Sequence, residues 1–199
     1  MRLSRIVLAS ASPRRLELLR SLGLHVEVAP TGYEEAPVAK LSPAALASHH
    51  AAEKLRAAAA NRGAADGAPT LAADTVVDVD GTPLGKPCDA ADAVRMLRLL
   101  SGREHVVHTA FALAVPGRAT PTCERVSTRV RFYELRADEI ADYVATGEPF
   151  DKAGGYGIQG RAASLVEAID GDFYTVVGLP LARVIRALRG LGFTLPETK

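Results

Sequence analysis

The sequence contains no tryptophan, two cysteines, two methionines, and only five phenylalanines and five tyrosines in 199 residues. Cys88 and Cys123 stand far apart and flank neither a CxxC pair nor a histidine cluster, so nothing reads as a disulfide framework or a zinc site. An excess of one charge is also missing. The net charge is +1, so no global field draws the chain to nucleic acid or to an anionic membrane, and any anion site must be local. No apolar run approaches membrane-spanning length. Arg2 and Arg5 precede Ile6–Ala9 in the manner of a signal peptide, but Ser10, Pro13 and two arginines interrupt the run, and the expected location is the cytoplasm. Internal repeats and disordered linkers are absent too, and a chain of this length buries about 70% of its unfolded surface in one domain or two small lobes.

Lysine is the scarce cation. Nineteen arginines face five lysines, and Lys54, Lys86 and Lys152 fall in segments that look chemical on other grounds. A compact ammonium suits a point contact to a phosphate oxygen or carboxylate that a planar guanidinium does not replace.

The apolar run Ile6–Ala9 is followed by Ser10-Ala11-Ser12-Pro13-Arg14-Arg15 and then by a helical pattern through Leu16, Leu18, Leu19 and Leu22. Pro13 fits a first helical position and Ser12 an N-cap. Cations in a first turn oppose the helix dipole, so Arg14 and Arg15 make sense if an anion sits there. Free N–H groups, two hydroxyls and two guanidinium forks then form a phosphate site, and a polyphosphate is the natural occupant. The plain alternative is two solvated arginines.

Downstream, the pattern predicts a strand over His25–Ala29, an irregular stretch to Leu41, and a long alanine-rich helix from Ser42-Pro43 to about Asn61. A buried strand follows over Leu71–Val79, with a hairpin turn at Asp80-Gly81. A helix over Asp89–Leu100 precedes two long strands, near His105–Val115 and Cys123–Tyr133. In the second, Val126, Thr128, Val130 and Phe132 alternate with Arg125, Ser127, Arg129 and Arg131, leaving one face wet. The remainder reads as a helix over Arg136–Thr146, a glycine-rich connection to Gly160, a hairpin of Ser164–Ile169 with Phe173–Val177, and a last helix over Leu181–Leu191. Without strict βαβ alternation this is an α/β fold with a mixed sheet.

Asp74 interrupts the most strand-like run of the chain, Leu71–Val77. A buried unpaired carboxylate costs several kcal/mol, so Asp74 needs a cation, a metal or a cleft, and it is the leading catalytic candidate; the alternative is a structural aspartate bonded to a loop. Lys54 shares a helical stripe with Ala47, His50, Ala51, Leu55 and Ala58, so its ammonium either snorkels to solvent or enters a polar cavity. Glu35 alone reads as solvated, but with Asp74 it supplies two hard oxygen ligands of the kind Mg²⁺ takes, with water and phosphate filling the other positions. Gly85-Lys86-Pro87 lacks the spacing and the hydroxyl of a Walker motif. Gly155–Gly160 matches GxGxxG, but no strand leads in and no long helix follows. Its glycines are better suited to close backbone approach to a ligand. His49, His50, His105 and His108 show no zinc-protease spacing and read as surface or packing residues.

Taken in order, Ser10–Arg15, Glu34-Glu35, Lys54, Ala73-Asp74-Thr75-Val76, Gly85-Lys86-Pro87, Ser101-Gly102-Arg103 and Lys152–Gly160 resemble the Maf family of nucleoside triphosphate pyrophosphatases, named for inhibition of septum formation. The likeness runs from about Ile6 to Leu188. It implies an elongated, two-lobed fold akin to inosine triphosphatases, with a mixed twisted sheet and a central cleft, the whole chain forming a single domain. It also implies hydrolysis of a nucleoside triphosphate to monophosphate and pyrophosphate with a divalent cation, Mg²⁺ or Mn²⁺, as cofactor. Asp74 matches the family's proton acceptor, and Arg14, Thr75 and Gln159 match positions associated with base specificity, of the subgroup acting on dTTP and UTP rather than on 7-methyl-GTP. Glu34 stands where the family commonly has Asp, which leaves Glu35 as the metal-binding acid. The resemblance allows a homodimer, although no stripe in the sequence marks its interface.

The substrate-binding set is therefore Ser10, Ser12, Arg14, Arg15, Lys54, Thr75, Lys86, Lys152 and Gln159, with Glu35 and Asp74 for metal and Asp74 for catalysis. Asp74 orients the attacking water, binds the metal, or does both. Gln159 carries a donor and an acceptor that suit the N3–H and carbonyl edge of uracil or thymine. A nucleotide-binding regulator of cell division that uses the same pocket without turnover is the main alternative. Nucleic-acid binding through Arg125, Arg129 and Arg131 is disfavoured by the small net charge and the lack of interleaved aromatics.

Overall fold

A computed structural model describes residues 1–36, 38–62 and 67–196. In chain order the elements are β1 (Arg5–Leu8), α1 (Pro13–Arg20), β2 (His25–Val28), α2 (Pro43–Arg62), β3 (Thr70–Val79), β4 (Thr82–Leu84), α3 (Ala90–Leu100), β5 (Glu104–Ala114), β6 (Thr122–Phe132), α4 (Ala137–Ala145), β7 (Val166–Asp170), α5 (Phe173–Val177) and α6 (Leu181–Gly190). Short 3-10 turns at Glu148–Asp151, Ala153–Gly155 and Gly160–Leu165 fill the glycine-rich connection.

One sheet holds all seven strands in the order β2-β1-β3-β5-β6-β7, with β4 folded back on β3. β1 runs parallel to both neighbours, whereas β3, β5, β6 and β7 form an antiparallel meander, which makes the sheet mixed as expected. The β3–β4 reversal is the expected hairpin: Asp80 and Gly81 both have positive φ, 52° and 81°, and Asp78 Oδ1 accepts from the Gly81 N–H at 2.7 Å.

β3 is buried along almost its whole length because both faces are covered. Its even-numbered residues, Ala72, Asp74 and Val76, face α2, where small alanines of the helix let backbone and sheet approach closely. Its odd-numbered residues face the opposite layer, where Ala73 packs with α1 and α6, and Val77 with α3 and α4. This alternation sends adjacent side chains of one strand into different chemical surroundings.

β6 shows the wet face read from its alternation, with Arg125, Ser127, Arg129 and Arg131 exposed and Thr128, Val130 and Phe132 buried. Arg129 pairs with Asp170 and Glu104, and Arg131 with Glu167 at 2.9 Å, so acids of the neighbouring strands match these charges. Among the described residues no helix is long and apolar enough to cross a membrane.

The hairpin expected around Asp170-Gly171 is not formed. β7 ends at Asp170 and Phe173–Val177 is a short helix. The β-branched and aromatic composition of that stretch favours a strand, but Asp172 caps a helix instead, its Oδ2 accepting from the Thr175 N–H at 2.8 Å and from the Thr175 hydroxyl at 2.7 Å. Thr128 holds the cap in place, accepting from the Asp172 N–H at 2.9 Å and donating to its carbonyl at 3.0 Å.

Candidate active site

A cleft of about 580 Å³ opens where the β1–α1 turn, the segment 30–35, α2, β3, the Gly85-Lys86 connection, residues 151–159 and the end of α5 converge. Ser10, Ser12, Arg14, Arg15, Glu35, Lys54, Asp74, Thr75, Lys86, Lys152 and Gln159 all line it. The fold thus brings to one cleft the whole set expected to bind substrate, hold metal or catalyse.

Lys54 answers the question of what compensates Asp74. Its ammonium lies 2.6 Å from Asp74 Oδ1 and 2.5 Å from Glu35 Oε1, with the Asp74 side chain 4% exposed and that of Lys54 11%. The ammonium enters the cavity rather than snorkelling to solvent. Asp74 Oδ2 has no partner among the described residues and remains able to accept a proton or a cation. Burial raises the Glu35 pKa, but Lys54, by charge and hydrogen bond, and then Lys86 and Arg15 outweigh it, so the carboxyl sits below its ordinary value.

The donor chemistry fits a divalent cation. Two carboxylates already converge on one positive charge, and hard oxygens from two acids, with water and phosphate completing the shell, suit Mg²⁺ or Mn²⁺. No group of three or more His, Cys, Asp or Glu is gathered among the described residues, so an all-protein metal cage is absent there.

The two arginines of the first helical turn divide their tasks. Helix α1 begins at Pro13 with no acid in its first turn, as the sequence implied. Ser12 occupies the N-cap position without a side-chain cap, and instead its N–H donates to Ser10 Oγ at 3.2 Å. Arg15 turns inward and is 8% exposed. Its Nε donates to the Gly178 carbonyl at 2.8 Å, Nη1 to Ser10 Oγ at 3.1 Å and Nη2 to Thr75 Oγ1 at 3.2 Å. Burial lowers its pKa, opposed by Asp74 and Glu35. Arg15 therefore builds the wall that positions Ser10 and Thr75.

Arg14 reaches the other rim, donating to Asp151 Oδ2 at 2.9 Å, while Lys152 Nζ donates to Asp151 Oδ1 at 2.5 Å. One carboxylate thus gathers two cations at the cleft mouth. Burial pushes the Asp151 pKa up, but the hydrogen bonds from Lys152 and Arg14 leave it lowered. Lys152 also donates to the Glu148 carbonyl at 2.6 Å. Gln159 lines the cleft and stands at the N-cap position of the turn Gly160–Leu165 without a side-chain capping bond.

The glycines of the GxGxxG segment make their close approaches to protein groups. A Cβ at Gly157 would lie 2.6 Å from the Lys152 side chain, and one at Gly155, whose φ is 72°, would lie 3.2 Å from Pro87. These glycines serve packing, Gly155 letting the segment lie against Pro87 and Gly157 leaving room for the Lys152 side chain, and Gly157 also lines the cleft.

Asp151 escaped the sequence reading: it lines the cleft but carries no signal in a glycine-rich loop. His50 is a buried packing residue as expected, and it also lines the cleft, with Nδ1 2.9 Å from the Tyr33 hydroxyl. Burial lowers the His50 pKa, and burial together with Asp74 and Glu35 raises that of Tyr33. His105 and His108 are packing residues as expected: His105 lies 2.6 Å from the Tyr156 hydroxyl and edge-on to Phe132, and His108 bridges Ser127 and Asp78.

Comparison with known proteins agrees with this architecture. A HAM1 protein from Coxiella burnetii has the same fold, with a TM-score of 0.53 at 19% identity over 94% of this chain and all of that one. A dTTP/UTP pyrophosphatase from Geobacter metallireducens is 50% identical over 189 residues, 95% of this chain and 97% of the relative. A dTTP/UTP pyrophosphatase from Thermus thermophilus is also 50% identical, over 94% of this chain and 95% of the relative. With residues 5–191 matching the model described as Maf-like protein, the chain belongs to the Maf family.

Proposed function

We propose that this protein hydrolyses dTTP and UTP to the nucleoside monophosphate and pyrophosphate, removing these or modified pyrimidine nucleotides from the cytoplasmic pool. The observation that carries the reading is the Lys54 ammonium held between the buried Asp74 and the more exposed Glu35 in a cleft that also receives the β1–α1 turn, Lys86 and Gln159. The two dTTP/UTP pyrophosphatases, at 50% identity over nearly full length, support the same substrate class. The two larger apolar clusters, one around β1, α1 and α6 and the other around α3, α4 and β6, are taken as the cores of two lobes of one domain.

In this mechanism the triphosphate tail lies along the β1–α1 turn, where Ser10, Ser12 and the start of α1 supply hydroxyl and N–H donors. Arg14 and Lys152 exchange Asp151 for phosphate oxygens, and Lys86 adds a point charge from the opposite wall. Asp74 Oδ2 accepts a proton from water as the water oxygen bonds to the α-phosphorus. The bond from that phosphorus to the α-β bridging oxygen breaks, and pyrophosphate leaves. A divalent cation held by Glu35 and Asp74 supplies charge neutralisation on the phosphate oxygens when bound. Lys54 pairs with both acids and holds them aligned. Gln159 presents its amide to the base.

The test is product analysis of the purified protein with Mg²⁺ or Mn²⁺ and a panel of nucleoside triphosphates. Pyrophosphate and monophosphate are expected first, fastest from dTTP and UTP. Orthophosphate as the initial product, or no release from any nucleotide, overturns the reading.

A further inference from the structure

Thr75 is one member of a buried chain of hydroxyls that crosses the sheet, and counting hydrogens along that chain determines what Thr75 offers the cleft. Thr75 and Thr109 are register partners on β3 and β5, with their Oγ1 atoms 2.9 Å apart. Thr109 is fully buried, and its Oγ1 lies 2.7 Å from the Thr175 carbonyl oxygen. A carbonyl only accepts, and a threonine hydroxyl has one hydrogen, so Thr109 spends its hydrogen on Thr175. The carbonyl needs that donor, because α5 stops at Val177 and the N–H groups of Gly178 and Leu179 both bond to Tyr174.

Two consequences follow for Thr75. In its contact with Thr109 it must be the donor, so its own hydrogen points inward along the chain. One of its two lone pairs accepts from Arg15 Nη2 at 3.2 Å. The second lone pair is all that remains. Gly178 follows α5 with a φ of 122°, which favours glycine, and a Cβ there would lie in ordinary contact with Thr75 Oγ1 at 3.5 Å.

We infer that Thr109, through the Thr175 carbonyl, locks the Thr75 hydroxyl as an acceptor towards the cleft, so that Thr75 selects bases presenting an imide N–H at this position and rejects bases presenting a ring lone pair. Thr109 is thereby a positioning residue for specificity that never touches substrate. This inference rests on the proposed function and extends it by placing the base against Thr75 as well as Gln159, which line the same cleft. Uracil and thymine carry the imide N3–H. Cytosine carries a lone pair on N3, and two lone pairs facing each other leave a buried acceptor unpaired, which is where polar sites discriminate most strongly.

The experiment measures kcat/KM for UTP and CTP in the wild type and in Thr109→Val and Thr109→Ser. Valine keeps the shape but removes the acceptor for the Thr75 hydrogen, which is then free to rotate towards the cleft and meet cytosine N3. The UTP:CTP ratio is expected to fall about tenfold or more in Thr109→Val and to return in Thr109→Ser. An unchanged ratio in a folded Thr109→Val overturns the inference while leaving pyrophosphate release intact. Neutron diffraction of wild-type crystals reads the same point without a variant. The exchanged hydrogen of Thr75 is expected between the two threonines and that of Thr109 towards Thr175; a Thr75 hydrogen aimed into the cleft overturns the inference. Failure of the wild type to hydrolyse any nucleotide defeats the proposed function, and the neutron result still decides the orientation of the chain.

Discussion

Asp74 and Thr75 are neighbours on one strand, yet they face opposite layers and obey different physics. On the α2 side, a buried carboxylate is tolerated because Lys54 places an ammonium 2.6 Å away, and the arrangement is one of charge against charge. On the α5 side, Thr75, Thr109 and the Thr175 carbonyl form a directed chain of hydrogen bonds, with Arg15 as the one charged member. Charge attraction falls off slowly and tolerates adjustment, whereas each hydrogen in the threonine chain has one place to go. The first side suits chemistry and the second suits discrimination.

The contrast breaks most completely at Asp74. Asp74→Asn keeps the shape and a hydrogen-bond acceptor for Lys54 but removes the proton acceptor, so turnover is expected to fall by about a thousandfold while nucleotide binding, measured by calorimetry, persists. A near-normal rate in the variant removes Asp74 from the chemistry.

The next largest effect is on stability. Lys54→Met leaves Asp74 buried without its cation, and denaturant unfolding is expected to show a loss of about 3–5 kcal/mol. Combining it with Asp74→Asn should recover much of that loss, because the penalty belongs to an uncompensated charge rather than to missing packing. Additive losses in the double variant argue that the pair is not coupled in this way.

A third buried polar pair sharpens the comparison by being neutral. His105 meets Tyr156 in the apolar cluster under α3 and α4, its Nδ1 has no partner among the described residues, and burial lowers its pKa from 6.5 to about 4. Between those values the unfolded chain binds a proton that the folded chain refuses. The stability contribution is therefore complete above the unfolded value and is lost as pH falls towards the folded one, by roughly 3 kcal/mol in all. His50 is shifted in the same direction by burial, so the difference between wild type and His105→Gln isolates His105. Unfolding free energies at pH 7.5 and 4.5 should differ less in the variant. Equal pH dependence in the two proteins refutes the assignment.

Local signals made much of this readable in advance. Ser12-Pro13 marked the start of α1, Asp80-Gly81 marked the β3–β4 turn, and Asp74 stood out because an acid inside an apolar run demands a partner. The α5 helix was not readable, since Phe173–Val177 has the composition of a strand and becomes helical only because Asp172 caps it and Thr128 holds the cap. Arg14 and Arg15 are chemically alike and adjacent, and nothing local says that one turns inward to Gly178 and Thr75 while the other meets Asp151. Thr109 is typical of a strand and gains its role from a carbonyl 66 residues away.

By itself, then, the order of residues determined most of the elements, the mixed sheet and most of the groups that gather in the cleft, because caps, turns and an acid out of place act over a few residues. Tertiary structure alone decided which arginine supports and which reaches out, where Asp151 tethers the rim, and which way the hydrogens of the threonine chain run. Those outcomes depend on donors and acceptors that meet only when distant strands and helices are packed, and the directionality of a hydrogen bond is a property of the assembled geometry.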